Sequence, residues 1–435
     1  MRKRTAALCA LLLILCAVFV PGAAAAAPAL SATRAYCIID ADTGVVLAQQ
    51  NMDEELHPAS ITKVMTLGLA CQKAQGDWEN TLLTVSHEDV YSLAGTDSSH
   101  IALRVGENVP LKDALYATMM ASANDGANVL AEYFGEGTIA DGVVKMNEQV
   151  AALGLEHTHF ANPHGISSDD HYTSCYDMAQ ILRWALEQPG FEEVFTRREV
   201  YTMEPTDLQP VTRYFSQQDK MRIGSSRYNI STILGSKLGY TNKARYSYVC
   251  LAEQNGVRVI CVTMQSQLST DKYNDVRVLL DYAFDTFTGY TELPGGRASA
   301  QLSTVGGGAE LGSVTVTDPG VRLLLADGLS AQDVTVSLEL PAQYRLGETP
   351  QVYAVYTIHG GSLQEDASIR VEAEISGLED LLAQNVGAVL PAAQDVEPKP
   401  AVWKWLALPA GALALLALLL VGTRMLRRRP RRRRR

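Results

Sequence analysis

Apolar positions change their spacing several times along this chain, and each change predicts an element. From Tyr36 to Leu47 they alternate around Asp42-Thr43-Gly44, which predicts two strands joined by a turn. Ser60 to Ala74 has helical spacing with scarcely any polar face. Leu111 to Tyr133 predicts two helical stretches interrupted near Ser122 to Asp125, and Val143 to Leu155 and Tyr176 to Leu186 predict two amphipathic helices. Ser247 to Thr263 reads as a hairpin, because Asn255-Gly256 separates two β-branched runs. Pairing Gln254 with Val257 sets Cys250 opposite Cys261, where two buried thiols suit the wide backbone spacing better than a strained disulfide. A last helix, Val276 to Phe287, follows a cap at Ser269 or Thr270. The order strand, many helices, strands, helix predicts an α+β domain over residues 33–291, an antiparallel sheet with helices packed on it.

After Pro294-Gly295-Gly296 the character changes. Short β-type runs at Val314–Val316, Val321–Ala326, Val334–Leu340, Val352–Ile358 and Ile369–Ile375 predict a small all-β domain over residues 297–388. Residues 389–402, with Pro391, Pro398 and Pro400, read as a stiff linker.

The two ends are of another kind. Residues 1–27 read as a signal peptide: Arg2, Lys3 and Arg4, then an apolar run, then alanines offering cleavage sites. Residues 403–423 read as a transmembrane helix, uncharged from Leu406 to Gly422 and edged by Trp403 and Trp405. Residues 424–435 form an arginine-rich tail that the positive-inside rule assigns to the cytoplasm, so the rest is expected outside the membrane.

Composition, 47% hydrophobic and 20% charged, is that of a globular protein. Of the 37 basic residues, three fall in the signal and ten after residue 400, where none of the 48 acids lies, so the segment between carries a net charge of −24. That argues against nucleic acid or anionic lipid as its partner. Five of the seven cysteines lie outside the signal, an odd number that requires a free thiol or an intermolecular bond.

The candidate chemistry centres on Ser60 and Lys63. Three residues apart on a helix, they share a face. Lys63 is the only charge between residues 56 and 72, so it should be buried. Burial disfavours the ammonium form, and a neutral amine beside a hydroxyl is a general base that makes a nucleophile. Free N–H groups at a helix start suit a developing oxyanion. A second S-x-x-K, Ser269 to Lys272, opens a charged helix, where Ser269 reads as a cap and Lys272 as solvated. Two further motifs distinguish the first copy: Ser122-Ala123-Asn124, and Lys237-Leu238-Gly239-Tyr240-Thr241 at the start of the hairpin strands. S-x-x-K with S-D-N and K-T-G is the motif set of class A β-lactamases and penicillin-binding proteins.

With these motifs in this order, and with Gly106-Glu107, Met146-Asn147 and Phe160-Ala161-Asn162-Pro163-His164-Gly165, the chain resembles a low-molecular-mass penicillin-binding protein of the peptidase S11 family over about Ala35 to Tyr290. The resemblance implies a β-lactamase/transpeptidase-like domain followed by the β domain and membrane anchor. It implies a serine D-Ala-D-Ala carboxypeptidase acting on peptidoglycan stem peptides, inhibited by β-lactams and needing no cofactor. Ser60 would attack the penultimate carbonyl, Lys63 would take its proton, and Ser122 would relay a proton to the leaving D-alanine. Asn124 would fix Lys63 and the substrate amide. The backbone N–H groups of Ser60 and Tyr240 would form the oxyanion hole. Lys237, with Gly239 and Thr241, would hold the substrate; Arg245 and His164 are further candidates.

One position departs from the family: Leu238 stands where Thr usually helps hold the substrate carboxylate. Losing that bond costs about 1.5–3 kcal/mol, and Ser236, Thr241 and Arg245 are the candidates to compensate. His157, His159, His164 and His171 match no standard zinc spacing, so no metal is expected. Two rivals remain. A β-lactamase would need a deacylating glutamate, and no E-x-x-L-N occurs between Ser122 and Lys237; a scaffold protein with little turnover would be consistent with Leu238. The oligomeric state is not encoded in any of these features.

Overall fold

The computed structural model describes residues 27–96, 98–303, 310–340, 350–359 and 366–381. The segments read as signal peptide (apart from Ala27), linker, membrane span and basic tail lie outside the described residues, among which no helix is long and apolar enough to cross a membrane.

The first part of the chain is built on five antiparallel strands: β1 (Thr33–Asp40), β2 (Val46–Gln50), β3 (Ile233–Thr241), β4 (Arg245–Gln254) and β5 (Val257–Ser266), in the order β2-β1-β5-β4-β3. Gln254 pairs with Val257 and Cys250 with Cys261, the register that the Asn-Gly turn predicts. Asn255 and Gly256 both have positive φ (53° and 83°), as a type I′ turn demands. All five cysteines outside the signal are buried free thiols.

The inner strands are apolar on both faces because both faces are covered. Ala35, Cys37, Ile39, Val249, Leu251, Ile260 and Val262 join one core with the helices α1 (Lys63–Ala74), α2 (Leu111–Met120), α3 (Asn124–Phe134), α4 (Ile139–Ala152) and α5 (Cys175–Leu186). Tyr36, Ile38, Tyr248, Cys250, Val259 and Cys261 face the other way, toward Val276, Leu279 and Ala283 of α6 (Ser269–Thr286). α1 is buried from Lys63 to Cys71, as its lack of a polar face requires. Thr138 and Ser174 cap α4 and α5 by accepting the N–H of Asp141 and Asp177, so these helices begin earlier than apolar spacing alone indicates.

Three further boundaries move. The α-helix starts at Lys63, and Ser60 lies on a 3₁₀ turn, Ala59–Thr62, leading into it. α6 starts at Ser269, a turn and more before Val276. Pro294-Gly295-Gly296 links two strands, since Tyr290–Pro294 pairs with Gly320–Leu324 and Arg297–Ser303 with Glu310–Thr317. Val334–Glu339, Tyr353–Ile358 and Ala367–Glu372 form a further three-stranded sheet.

Candidate active site

Three distant segments converge at the β3 edge of the sheet: the Ala59–Thr62 turn, the break between α2 and α3, and β3 itself. Ala59 and Ser122 both hold left-handed φ (52° and 56°), a region that non-glycine residues occupy only where surroundings enforce it. The cleft between the segments measures about 410 Å³ and is lined by Ser60, Ser122, Lys237, Leu238, Tyr240 and Lys272, among others.

Lys63 is fully buried. Its Nζ lies 3.0 Å from Ser60 Oγ, 2.7 Å from Asn124 Oδ1 and 2.8 Å from the carbonyl oxygen of His164. Burial first, and the charge of Lys237 second, hold its pKa well below the usual lysine range, against the pull of Asp125. A neutral amine has two N–H donors and one lone pair. The two carbonyl oxygens can only accept, so they take both donors and leave the lone pair for the Ser60 hydroxyl. Asp125 braces this corner by accepting the N–H groups of Ile101 and Leu103, while the Asn124 N–H donates to the carbonyl of Ser99 (2.8 Å).

Lys237 points from β3 into the same cleft, with Nζ 2.9 Å from Ser122 Oγ and 3.0 Å from the Leu238 carbonyl oxygen. Burial, then the charge of Lys272, pushes its pKa down to about 7, with Asp219 opposing. β3 presses against the Ala59–Thr62 turn at Gly239, where a Cβ would fall 2.9 Å from both the Ser60 nitrogen and the Pro58 carbonyl oxygen. No side chain fits there. The next residue, Tyr240, leaves its ring outside, 4.6 Å from that of Tyr246.

The remaining candidates lie as follows. His164 meets Lys63 through its backbone carbonyl, and its buried imidazole Nδ1 accepts the N–H of Ile166 (3.3 Å). The Thr241 hydroxyl lies 2.8 Å from Ser167 Oγ and accepts the N–H of Ala244. Ser236 donates to Asp219 (2.6 Å). Arg245 sits exposed at the hairpin end opposite Thr241. Among the described residues, no group of three or more His, Cys, Asp or Glu side chains is placed to hold a metal ion.

The expectation of a solvated Lys272 is overturned. It is only 3% exposed and reaches the cleft floor, with Nζ 4.6, 5.5 and 5.9 Å from the ring centroids of Tyr273, Tyr246 and Tyr248. The cap lies one residue earlier, where the Leu268 N–H donates to Asp271, and in the first turn of α6 only Lys272 is buried. Burial pushes the Lys272 pKa down to about 8, opposed by Asp219. Asp219, fully buried, accepts from Ser236 and from Tyr248 (2.7 Å) and supplies the negative charge near this cationic group. A signal for Lys272 existed in the sequence. It falls in register with the buried stripe of Val276, Leu279 and Ala283, a core position rather than a surface one.

Residues 22–267 match the Peptidase S11 model, D-alanyl-D-alanine carboxypeptidase. The chain is 28% identical to the D-alanyl-D-alanine carboxypeptidase DacF of Bacillus subtilis over 71% of this chain and 76% of that protein. It is 29% identical to DacA of Escherichia coli over 71% and 75%. The crystal structure of DacD from Francisella tularensis superposes with a TM-score of 0.56 at 22% identity, covering 80% of this chain and 94% of that one. The Streptomyces K15 DD-transpeptidase superposes with a TM-score of 0.53 at 24% identity, covering 60% and 99%. The fold is that of the penicillin-binding transpeptidases, and the chain belongs to the Peptidase S11 family of D-alanyl-D-alanine carboxypeptidases.

Proposed function

We propose that this enzyme removes the terminal D-alanine from peptidoglycan stem peptides through an acyl-enzyme on Ser60. The observation that carries the assignment is the buried Lys63 amine, 3.0 Å from Ser60 Oγ and within hydrogen-bond distance of the Asn124 side-chain and His164 backbone carbonyl oxygens. Ser60 Oγ attacks the penultimate carbonyl while its proton passes to Lys63. The N–H groups of Ser60 and Tyr240 receive the oxyanion. Ser122, beside Lys237, relays the proton held by Lys63 to the leaving amine, so D-alanine departs and Lys63 is neutral again. Water then attacks the ester, its proton returning through Lys63, and the shortened peptide leaves. A β-lactam acylates Ser60 by the same path; its cleaved ring stays attached, so it remains as an inhibitor.

Lys237 and Lys272 together supply the positive charge for the terminal carboxylate. This answers the loss of the usual threonine at Leu238, because Ser236 and Thr241 have their hydroxyls engaged elsewhere. We read residues 33–291 as the catalytic unit, 297–388 as a β-rich unit and 389–402 as a linker. The sequence also supports export by residues 1–27 and anchoring by residues 403–423, with residues 424–435 in the cytoplasm.

Incubation with a fluorescent penicillin, and separately with a peptide ending in D-Ala-D-Ala, tests the reading. Expected are stable labelling lost in Ser60→Ala and release of D-alanine. Rapid loss of label with penicillin turnover would make it a β-lactamase, and labelling without D-alanine release a binding protein.

A further inference from the structure

We propose that His171 is a positioning residue that aims the Ser60 amide N–H into the oxyanion site, acting through Thr62 and the Ala59 carbonyl. The inference rests on Ser60 being the nucleophile. His171 is fully buried, outside the catalytic motifs, on the loop after Phe160-Ala161-Asn162-Pro163-His164-Gly165.

Its two ring nitrogens are both used. The backbone N–H of Ala161 donates to Nδ1 (3.0 Å), so in the neutral ring the proton sits on Nε2. Nε2 lies 2.9 Å from Thr62 Oγ1 and donates to it, and the Thr62 hydroxyl donates onward to the Ala59 carbonyl oxygen (2.9 Å). The chain Ala161, His171, Thr62, Ala59 thus runs in one direction, and each hydrogen has one acceptor. Burial pushes the His171 pKa down to about 3, which keeps the ring in this neutral form at ordinary pH. Its orientation is held further by Phe160, whose ring centroid lies 5.7 Å away, and by His57, whose Nδ1 is 3.0 Å from the His171 carbonyl oxygen.

The consequence follows from peptide planarity. The Ala59 C=O and the Ser60 N–H belong to one trans peptide group and point in opposite directions. Whatever holds the carbonyl therefore aims the N–H. The carbonyl side is packed tightly: a Cβ at Gly165 would fall 1.9 Å from the Ala59 oxygen. The nitrogen side faces Gly239 of β3, next to Tyr240, the other proposed oxyanion donor. Ala59 sits at φ +52°, a conformation that nothing in its own side chain favours, so an external hold on its carbonyl has a job to do.

The test uses the full-length protein and four variants. His171→Phe and Thr62→Val break the chain; His171→Gln and Thr62→Ser keep a donor and an acceptor. The readouts are penicillin acylation rate, kcat and KM on a D-Ala-D-Ala peptide, and affinity for phenylboronic acid, which becomes a tetrahedral anion on Ser60. Expected for His171→Phe and for Thr62→Val is a loss of roughly 10²-fold in acylation, kcat and boronate affinity, the size seen when one oxyanion donor is lost. KM should stay within about threefold, since the terminal carboxylate is held elsewhere. The double variant should be no worse than either single, and Gln and Ser should recover most of the loss. Unchanged boronate affinity, additive losses or an effect confined to KM would overturn the proposal. If His171→Phe fails to fold, Thr62→Val, nearly isosteric, decides alone. Wild-type protein that takes no penicillin label, or label that survives Ser60→Ala, would instead sink the nucleophile assignment.

Discussion

Gly239 stands against Ser60 with no room for a side chain: a Cβ on it would lie 2.9 Å from the Ser60 nitrogen and 2.3 Å from Ser247 Oγ. Ser247, on β4, donates to the Pro58 carbonyl just before the Ala59–Thr62 turn (2.5 Å). The turn is thus held against β3 by close approach and to β4 by a hydrogen bond. Gly239→Ala should push β3 away and separate the two proposed oxyanion donors, the N–H groups of Ser60 and Tyr240. We expect penicillin acylation to fall by about 10²-fold, with far-UV circular dichroism unchanged, measured as the labelling rate under excess penicillin.

Lys272 should govern how tightly the enzyme holds a terminal carboxylate. Removing one charged partner costs about 1.5–3 kcal/mol, so Lys272→Met should raise KM for a D-Ala-D-Ala peptide ten- to a hundredfold. The pH dependence has a definite sign. The lysine is cationic below its pKa of about 8 and loses its charge above it, so KM should rise as pH increases through 8. Lys237, at about 7, acts in the same sense, and the bound carboxylate pulls both values up. Lys272→Arg keeps its charge throughout and should weaken this rise.

Leu238→Thr should restore a hydroxyl beside the two lysines. Leu238 is half-buried and packs against the same apolar cluster as Tyr248, so the exchange loses some contact. A bond to a charged group outweighs it for binding. KM should fall about tenfold, while the melting temperature drops by a few degrees.

A pH effect on stability should arise far from the cleft. Asp89 is fully buried, and its Oδ1, like Glu132 Oε2 on α3, has no hydrogen-bond donor. Burial, reinforced by Glu132, pushes the Asp89 pKa up to about 7 from 3.8. An acid whose pKa is raised on folding contributes stability that is complete below about pH 4 and lost as pH rises through 7. The melting temperature should be lower at pH 8 than at pH 5, reflecting a stability loss on the order of 1–3 kcal/mol. Glu132→Gln removes the like charge, offers Asp89 an N–H donor and should reduce that difference.

The primary sequence alone determined what depends on local order. The two-residue turn at Asn255-Gly256 set the register that places Cys250 opposite Cys261. The uncharged surroundings of Lys63 foretold its burial, and the break near Ser122 foretold the gap between α2 and α3. Each is a statement about neighbours within a turn or two, where spacing and residue type act directly.

What the tertiary structure decided is which buried polar groups meet. Lys272 looked solvated because its own helix is charged, yet the face it occupies packs under the sheet beside three tyrosines from three positions in the chain. His171 looked like one of four loop histidines, yet it closes a hydrogen-bond chain to Thr62, 109 residues away. Ser236 and Thr241 were candidates for one task and are engaged in others, with Asp219 and Ser167. A buried donor must find an acceptor, but that acceptor can lie anywhere along the chain. Hydrophobic spacing reports that a position is inside; only the folded arrangement reports what is inside with it.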